Sequence, residues 1–182
     1  MADQRKFESI SKLEAATRQL CQAIRLFFQK EDAISIHTLT SAAHQILIDL
    51  TKSQNPNGLK EVVLHKGNPV IKEEMRKRWH DKIHSDQNFF KHAERDPKHI
   101  HKFNPERTPF YIWDATLMHG DFSNTEPIEV RIFRYWFGLT FPDLFGDGLF
   151  KRTLNNFRIS GMEPNDFETI CEIIKTRSCR TR

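Results

Sequence analysis

Residues 11–29, SKLEAATRQLCQAIRLFFQ, decide the fold class. Ser11 with Glu14 three positions on is a capping box: hydroxyl and carboxylate each satisfy an early backbone N–H of a helix. Leu13, Ala16, Leu20, Ile24 and Phe27 then recur at three- and four-residue spacing, so they line one side of that helix. Glu31-Asp32 breaks the pattern. A second helix is expected from about Ser35, burying Leu39, Ala42, Ala43, Ile46, Leu47 and Leu50, with the two alanines letting another helix approach closely. The chain thus opens as a pair of amphipathic helices that must bury their stripes against further helices.

The remaining segments read the same way. Asn55-Pro56-Asn57-Gly58 is a turn signal. Residues 59–65 are ambiguous, and Asn68-Pro69 has the cap-then-proline order of a helix start. A third helix is expected from there to about Arg95, with Ile71, Met75, Trp79, Ile83 and Phe90 on its apolar side and Phe89 and Ala93 extending it; Asp96-Pro97 should stop it. A polar loop, 98–106, leads to a fourth helix opened by Thr108-Pro109, with Phe110, Trp113, Ala115 and Leu117 as its apolar content and His119-Gly120 at its end. Residues 126–141 are apolar nearly all round, the pattern of a helix central in a bundle or seated in an oligomer interface. Pro164 is expected to start a last helix carrying Phe167, Ile170, Cys171 and Ile174. The expectation is an all-α, single-domain bundle of about five or six helices over residues 1–174, followed by a basic C-terminal tail, 175–182.

Composition fits that reading. A chain of 182 residues suits one core, and fifteen Phe and three Trp supply its bulk. No window approaches the run of ~20 apolar residues that spans a bilayer, and the N-terminus lacks a signal-peptide pattern. Cys21, Cys171 and Cys179 form no CxxC pair, so neither a disulfide framework nor a zinc site is suggested and a cytoplasmic setting is expected. The net charge of +4 comes from the tail: setting aside Lys175, Arg177, Arg180 and Arg182 of the 28 basic residues leaves as many as the 24 acids. There is no GxxxxGK[ST] or GxGxxG phosphate loop and no nucleophile elbow, which disfavours nucleotide-dependent and serine-hydrolase chemistry. No cofactor is expected.

Chemistry concentrates in residues 72–102, which hold nine Lys or Arg, six Asp or Glu and five of the nine histidines. On the third helix Asp81, His84, Asn88 and His92 follow one another at three or four residues and share a face, with Lys77 and Arg95 at its two ends. Imidazoles beside an amide and a carboxylate can move protons near neutral pH; a solvated helix face has the same composition. His80 and His84, one turn apart, are the alternative as metal ligands, with Asp81, His99, His101 or His119 completing a site, although HxxxH without the intervening Glu of a zinc protease carries little specificity. His37 and His44 on the second helix could face the third and read as structural. A metal site is not the expected outcome.

Asn88-Phe89-Phe90-Lys91-His92 resembles the Asn-x-x-x-His end of the Arg-Asn-x-x-x-His motif of HEPN-domain proteins, α-helical bundles that are often dimeric and many of which are metal-independent ribonucleases. The resemblance implies that His92 acts on the attacking or leaving oxygen of RNA with Asn88 orienting it. Gln87 stands where that family has its catalytic Arg, and an amide cannot supply the fixed charge a phosphorane-like transition state requires. Arg78 with His84 gives an alternative Arg–His spacing. SIHTLTSAAHQILIDL (35–50) and NFFKHAERDP (88–97) also resemble segments of uncharacterised small bacterial proteins of similar size. A non-catalytic binding or interaction module is therefore the leading expectation, with Lys77 and Arg95 meeting phosphate if RNA is the partner. The alternatives are a ribonuclease of toxin or defence type, a His-based metal binder, and a homodimer or protein complex through the Phe133–Phe141 helix.

Overall fold

The computed structural model describes residues 7–54, 73–92, 97–123 and 125–144. These form an all-α, single-domain bundle of five helices: α1 (Lys12–Phe28), α2 (Ala33–Gln54), α3 (Glu73–Lys91), α4 (Thr108–Gly120) and α5 (Ile128–Thr140). Short 3-10 turns at Pro105–Arg107 and Pro142–Leu144 precede α4 and follow α5. Among the described residues there is no strand, and no helix is long and apolar enough to cross a membrane. The helix expected from Pro164, residues 55–72 and the 175–182 tail lie outside the described residues.

The α1–α2 hairpin forms as its capping residues dictate. Ser11 Oγ accepts from the Glu14 N–H at 3.1 Å, while the Glu14 carboxylate turns instead to Arg18 at 2.6 Å, so one half of the expected capping box is made. Lys30 ends α1 in the left-handed region at φ 56°, and the Glu31 N–H reaches back to the Leu26 carbonyl across that turn. Asp32 then caps α2 by accepting from the Ser35 N–H at 2.7 Å. Glu31-Asp32 therefore marks the join, and α2 begins two residues earlier than expected.

Helix α2 is packed by α1, α4 and α3. This corrects its sequence-level face. Ile36, Ala43, Leu47 and Ile48 are buried together with His37, Thr40, Ser41, His44 and Thr51, while Leu39, Ala42, Ile46 and Leu50 are half-buried. A helix enclosed on several sides buries more than one stripe, and its polar residues go in with it. The same applies to α4. Tyr111, Ile112, Ala115 and Met118 are its buried apolar residues, with Asp114 and His119 beside them, and the expected Phe110, Trp113 and Leu117 are half-buried.

The aromatic end of the core joins α1, α4 and α5. Phe27 meets Trp136 edge-on at 4.8 Å and Phe133 at 5.5 Å; Trp113 stacks on Phe137 at 4.6 Å. Phe133, Phe137 and Leu139 are thus buried within this chain. The nearly all-round apolarity of α5 is explained in large part by its central packing. Arg25 reaches from α1 to the buried Glu129 at 2.5 Å and ties the two helices together at their polar edge.

The left-handed Lys30 is the one described non-glycine residue at positive φ. Lys30→Gly removes a Cβ clash at that turn and should stabilise the chain by about 0.5–1 kcal/mol, part of the relief being offset by the freer unfolded chain. Urea unfolding followed by far-ultraviolet circular dichroism measures it. A lower midpoint in the glycine variant would show that the Lys30 side chain contributes more than its backbone costs.

Candidate functional site

Two polar regions stand out, one inside the bundle and one at its surface. The inner one follows α2. His44 Nε2 donates to Asp114 Oδ2 of α4 at 2.9 Å, with both side chains almost wholly buried and Tyr111 packed edge-on at 4.6 Å. Two helical turns earlier, His37 Nδ1 lies 3.2 Å from Thr108 Oγ1, and its ring is boxed by Phe90, Phe103 and Tyr111. Nε2 of His37 and the Ser41 hydroxyl are buried without a hydrogen-bond partner among the described residues. At the other end of α4, His119 Nε2 pairs with Thr17 Oγ1 of α1 at 2.8 Å.

These three histidines hold helices together. The structural reading of His37 and His44 stands, with one correction: His37 meets α3 through Phe90, whereas His44 faces α4. His119, considered above as a metal ligand, spends one ring nitrogen on α1. Burial pushes the His37 imidazole from 6.5 down to about 4; Asp86 opposes the shift and Lys91 adds to it. Burial, with Arg134 nearby, lowers His119 as well. Burial likewise raises the Cys21 thiol to about 12, assisted by Glu129, which leaves it a poor nucleophile.

The outer region is the C-terminal end of α3 with the loop that follows. Asn88 and His92 are exposed, and neither side chain is hydrogen-bonded among the described residues; the His92 N–H still donates to the Asn88 carbonyl at 3.0 Å, just past the last residue of α3. Asp81 is exposed and His84 half-buried, and both of these side chains are engaged. The expected face along α3 is therefore present from Asp81 to His92. Lys77, Arg78 and His80 lie on the α3 backbone, but their side chains are outside the described residues, as is Arg95. The helix stops at Lys91, short of the expected Arg95.

The inward side of α3 adds two polar residues to the sequence reading. Of the expected apolar stripe, Phe90 is half-buried, as is Phe89 beside it, and the Ile71, Met75, Trp79 and Ile83 side chains lie outside the described residues; Asp86 and Gln87 are buried next to the two rings. Asp86 Oδ1 accepts from His101 Nε2 at 2.5 Å, and its other oxygen lies 3.8 Å from Arg107 Nη1. The His101 ring stacks on Phe89 at 4.8 Å with 22° between planes, and His99 meets the same Phe89 at 5.8 Å. These contacts fold the loop back onto the helix, and Lys98, His99, Ile100 and Lys102 of the loop are exposed.

Sequence spacing missed the His101–Asp86 and His44–Asp114 pairs because each joins residues far apart in the chain. A signal existed in part: Asp114 sits in the apolar run FYIWDATLM, and a carboxylate in such a run must find a partner. Among the described residues no group of three His, Cys, Asp or Glu is placed to hold a metal ion.

The depressed His37 gives the bundle a definite acid sensitivity. Between its ordinary value of 6.5 and about 4, the unfolded chain binds a proton at this imidazole that the folded chain refuses. Its contribution is complete above that window and is lost as the pH falls through it, by about 3 kcal/mol at most for a shift of this size. Urea midpoints measured from neutral to acid pH should fall more steeply in the wild type than in His37→Leu. Parallel curves would mean that other groups govern the acid limb.

No protein-family model, no curated protein and no solved structure matches this chain, so what it does has to be reasoned from its own side chains.

Proposed function

We propose that the chain is an RNA-binding module whose contact surface is the end of α3 together with the 97–102 loop. One observation carries this reading. Asn88 and His92 stand exposed, their side chains without a hydrogen bond among the described residues, while Gln87 is 6% exposed and turned into the bundle. Two polar side chains are thus presented to a ligand, and the amide at position 87 is withdrawn from it. In this reading the α3 pair contacts RNA and does not itself cleave it.

The surroundings suit a polyanion. Between residues 81 and 107 the described exposed charges are Lys82, Lys91, Lys98 and Lys102 against Asp81 and Glu106, while Asp86 is buried and faces His101 and Arg107. Partial burial lowers the Lys91 ammonium from its ordinary value, so part of its hydration is already given up before any phosphate arrives. The 88% exposed Ile100 offers an apolar surface beside these cations, against which a base can pack. Phosphate contacts would supply affinity and salt dependence, with the imidazole and amide adding hydrogen bonds.

A labelled, single-stranded 2′-O-methyl RNA titrated with the protein tests the reading by fluorescence anisotropy. Wild type should bind with an affinity that falls as salt rises. Asn88→Ala with His92→Ala should weaken binding about tenfold, the loss of two hydrogen bonds, with the helical circular dichroism unchanged. Binding that ignores both substitutions would remove this face from the contact. No binding at all, with elution as a dimer disrupted by a charge placed on α5 at Tyr135, would replace RNA by a protein contact through the Phe133–Phe141 helix.

A further inference from the structure

We infer that α2 binds one internal water molecule between His37 Nε2 and Ser41 Oγ, at a site inside the bundle that is independent of the RNA-binding reading. Both residues are wholly buried, and neither atom has a hydrogen-bond partner among the described residues. They stand four positions apart on one helix, which puts their side chains on the same face with Cβ atoms about 5–6 Å apart. Two hydrogen bonds through one water, each about 2.8–2.9 Å, can close a span of that size. Ser41 also behaves unlike its neighbours. Thr40 and Thr51 return their hydroxyls to the carbonyls four residues back, at 2.8 and 2.9 Å. Ser41 has the same option at the His37 carbonyl and does not take it. A buried hydroxyl that forgoes the bond its own helix offers needs another partner.

The ligand must suit His37 in either tautomer. With Nδ1–H donating to Thr108 Oγ1, 3.2 Å away, Nε2 carries the lone pair and needs a donor; with the roles reversed, Nε2–H needs an acceptor. Water serves both cases, and its spare hydrogen can go to the second lone pair of the His37 carbonyl. An ion does not fit. Burial keeps the imidazole neutral by pushing it down to about 4, and the buried carboxylates on neighbouring helices, Asp86 and Asp114, are bound to His101 and His44. A cation would be left without a counter-charge, and an anion would meet only neutral groups. Phe90, Phe103 and Tyr111 surround the His37 ring at 5.7, 5.2 and 5.3 Å, and none of them bonds Nε2. An apolar surround that contains polar atoms holds water where a wholly apolar one stays dry. Bonded at both nitrogens, the His37 ring has a fixed orientation, and with it the two rings, Phe90 and Phe103, that it seats.

Magnetic relaxation dispersion of the water oxygen is the test, because it responds only to whole molecules held for longer than the protein takes to tumble. The ring-nitrogen resonances of His37 are read alongside. Wild type should show a dispersion whose amplitude falls by the contribution of a single water in Ser41→Ala. Alanine is smaller than serine and favours a helix, so the helical circular dichroism should be unchanged. The Nε2 resonance should move in that variant while Nδ1, held by Thr108, stays. A wild type without dispersion would mean that the site is dry and would overturn the inference. An amplitude equal in wild type and Ser41→Ala would place any held water elsewhere, with the same consequence. An Nε2 resonance unmoved by Ser41→Ala would show that His37 is not one of the water's partners, and would overturn it too.

Discussion

Enclosure of α2 is the constraint on which the rest depends. With α1, α4 and α3 packed around it, this helix has little side left for water, yet its sequence places His37, Thr40, Ser41, His44 and Thr51 inside. Each buried polar group must find a partner or leave a desolvated donor or acceptor behind. Thr40 and Thr51 return their hydroxyls to carbonyls one turn back, at Ile36 and Leu47. The histidines cannot do that, and they reach across to α4 instead. Thr108 and Asp114 are where they are because α2 needs them, and the register of α4 against α2 is fixed by two side-chain contacts as much as by apolar packing.

That register sets the outer surface too. His37 touches Phe90 of α3 and Phe103 of the following loop, and those two rings meet edge-on at 5.1 Å. An interior histidine therefore anchors both pieces of the candidate site. Phe90 inside places its neighbour Phe89 toward the loop, where His99 and His101 pack on it. Asp86, one turn earlier, is drawn in far enough to be buried and close enough to bond His101. The exposed positions, Asn88 and His92, are those the same turn of helix leaves outside.

How much of this could be read from the sequence depended on whether a feature was local. Caps and apolar spacing are properties of a few consecutive residues, so α1 and α5 are found close to where their patterns put them. Which face of a helix is buried is local only when one neighbour covers it. For α2 and α4, covered from several sides, the apolar stripe was a true but incomplete guide, and residues such as Thr40, Asp114 and Met118 fell outside it. In α3 the spacing of Asp81, His84, Asn88 and His92 was legible, because one face of one helix carries them all. The partners of Asp86 were not, since a 15-residue separation across a loop leaves no periodicity to detect.

The histidines show how position decides what one residue type can do. His37, His44 and His119 lie in the core, each with a partner on another helix, and burial lowers His37 and His119 away from the range in which an imidazole exchanges protons. A group that must stay neutral to keep the bundle folded cannot also shuttle a proton without loosening what it holds. His92 and His99 carry no such duty, being exposed and bound to no other helix by hydrogen bonds among the described residues. His101 falls between the two classes. It is fastened like the core histidines, through a buried carboxylate, but to a loop whose neighbours face solvent. Asp86 provides that fastening, and with it the position of the whole loop against α3.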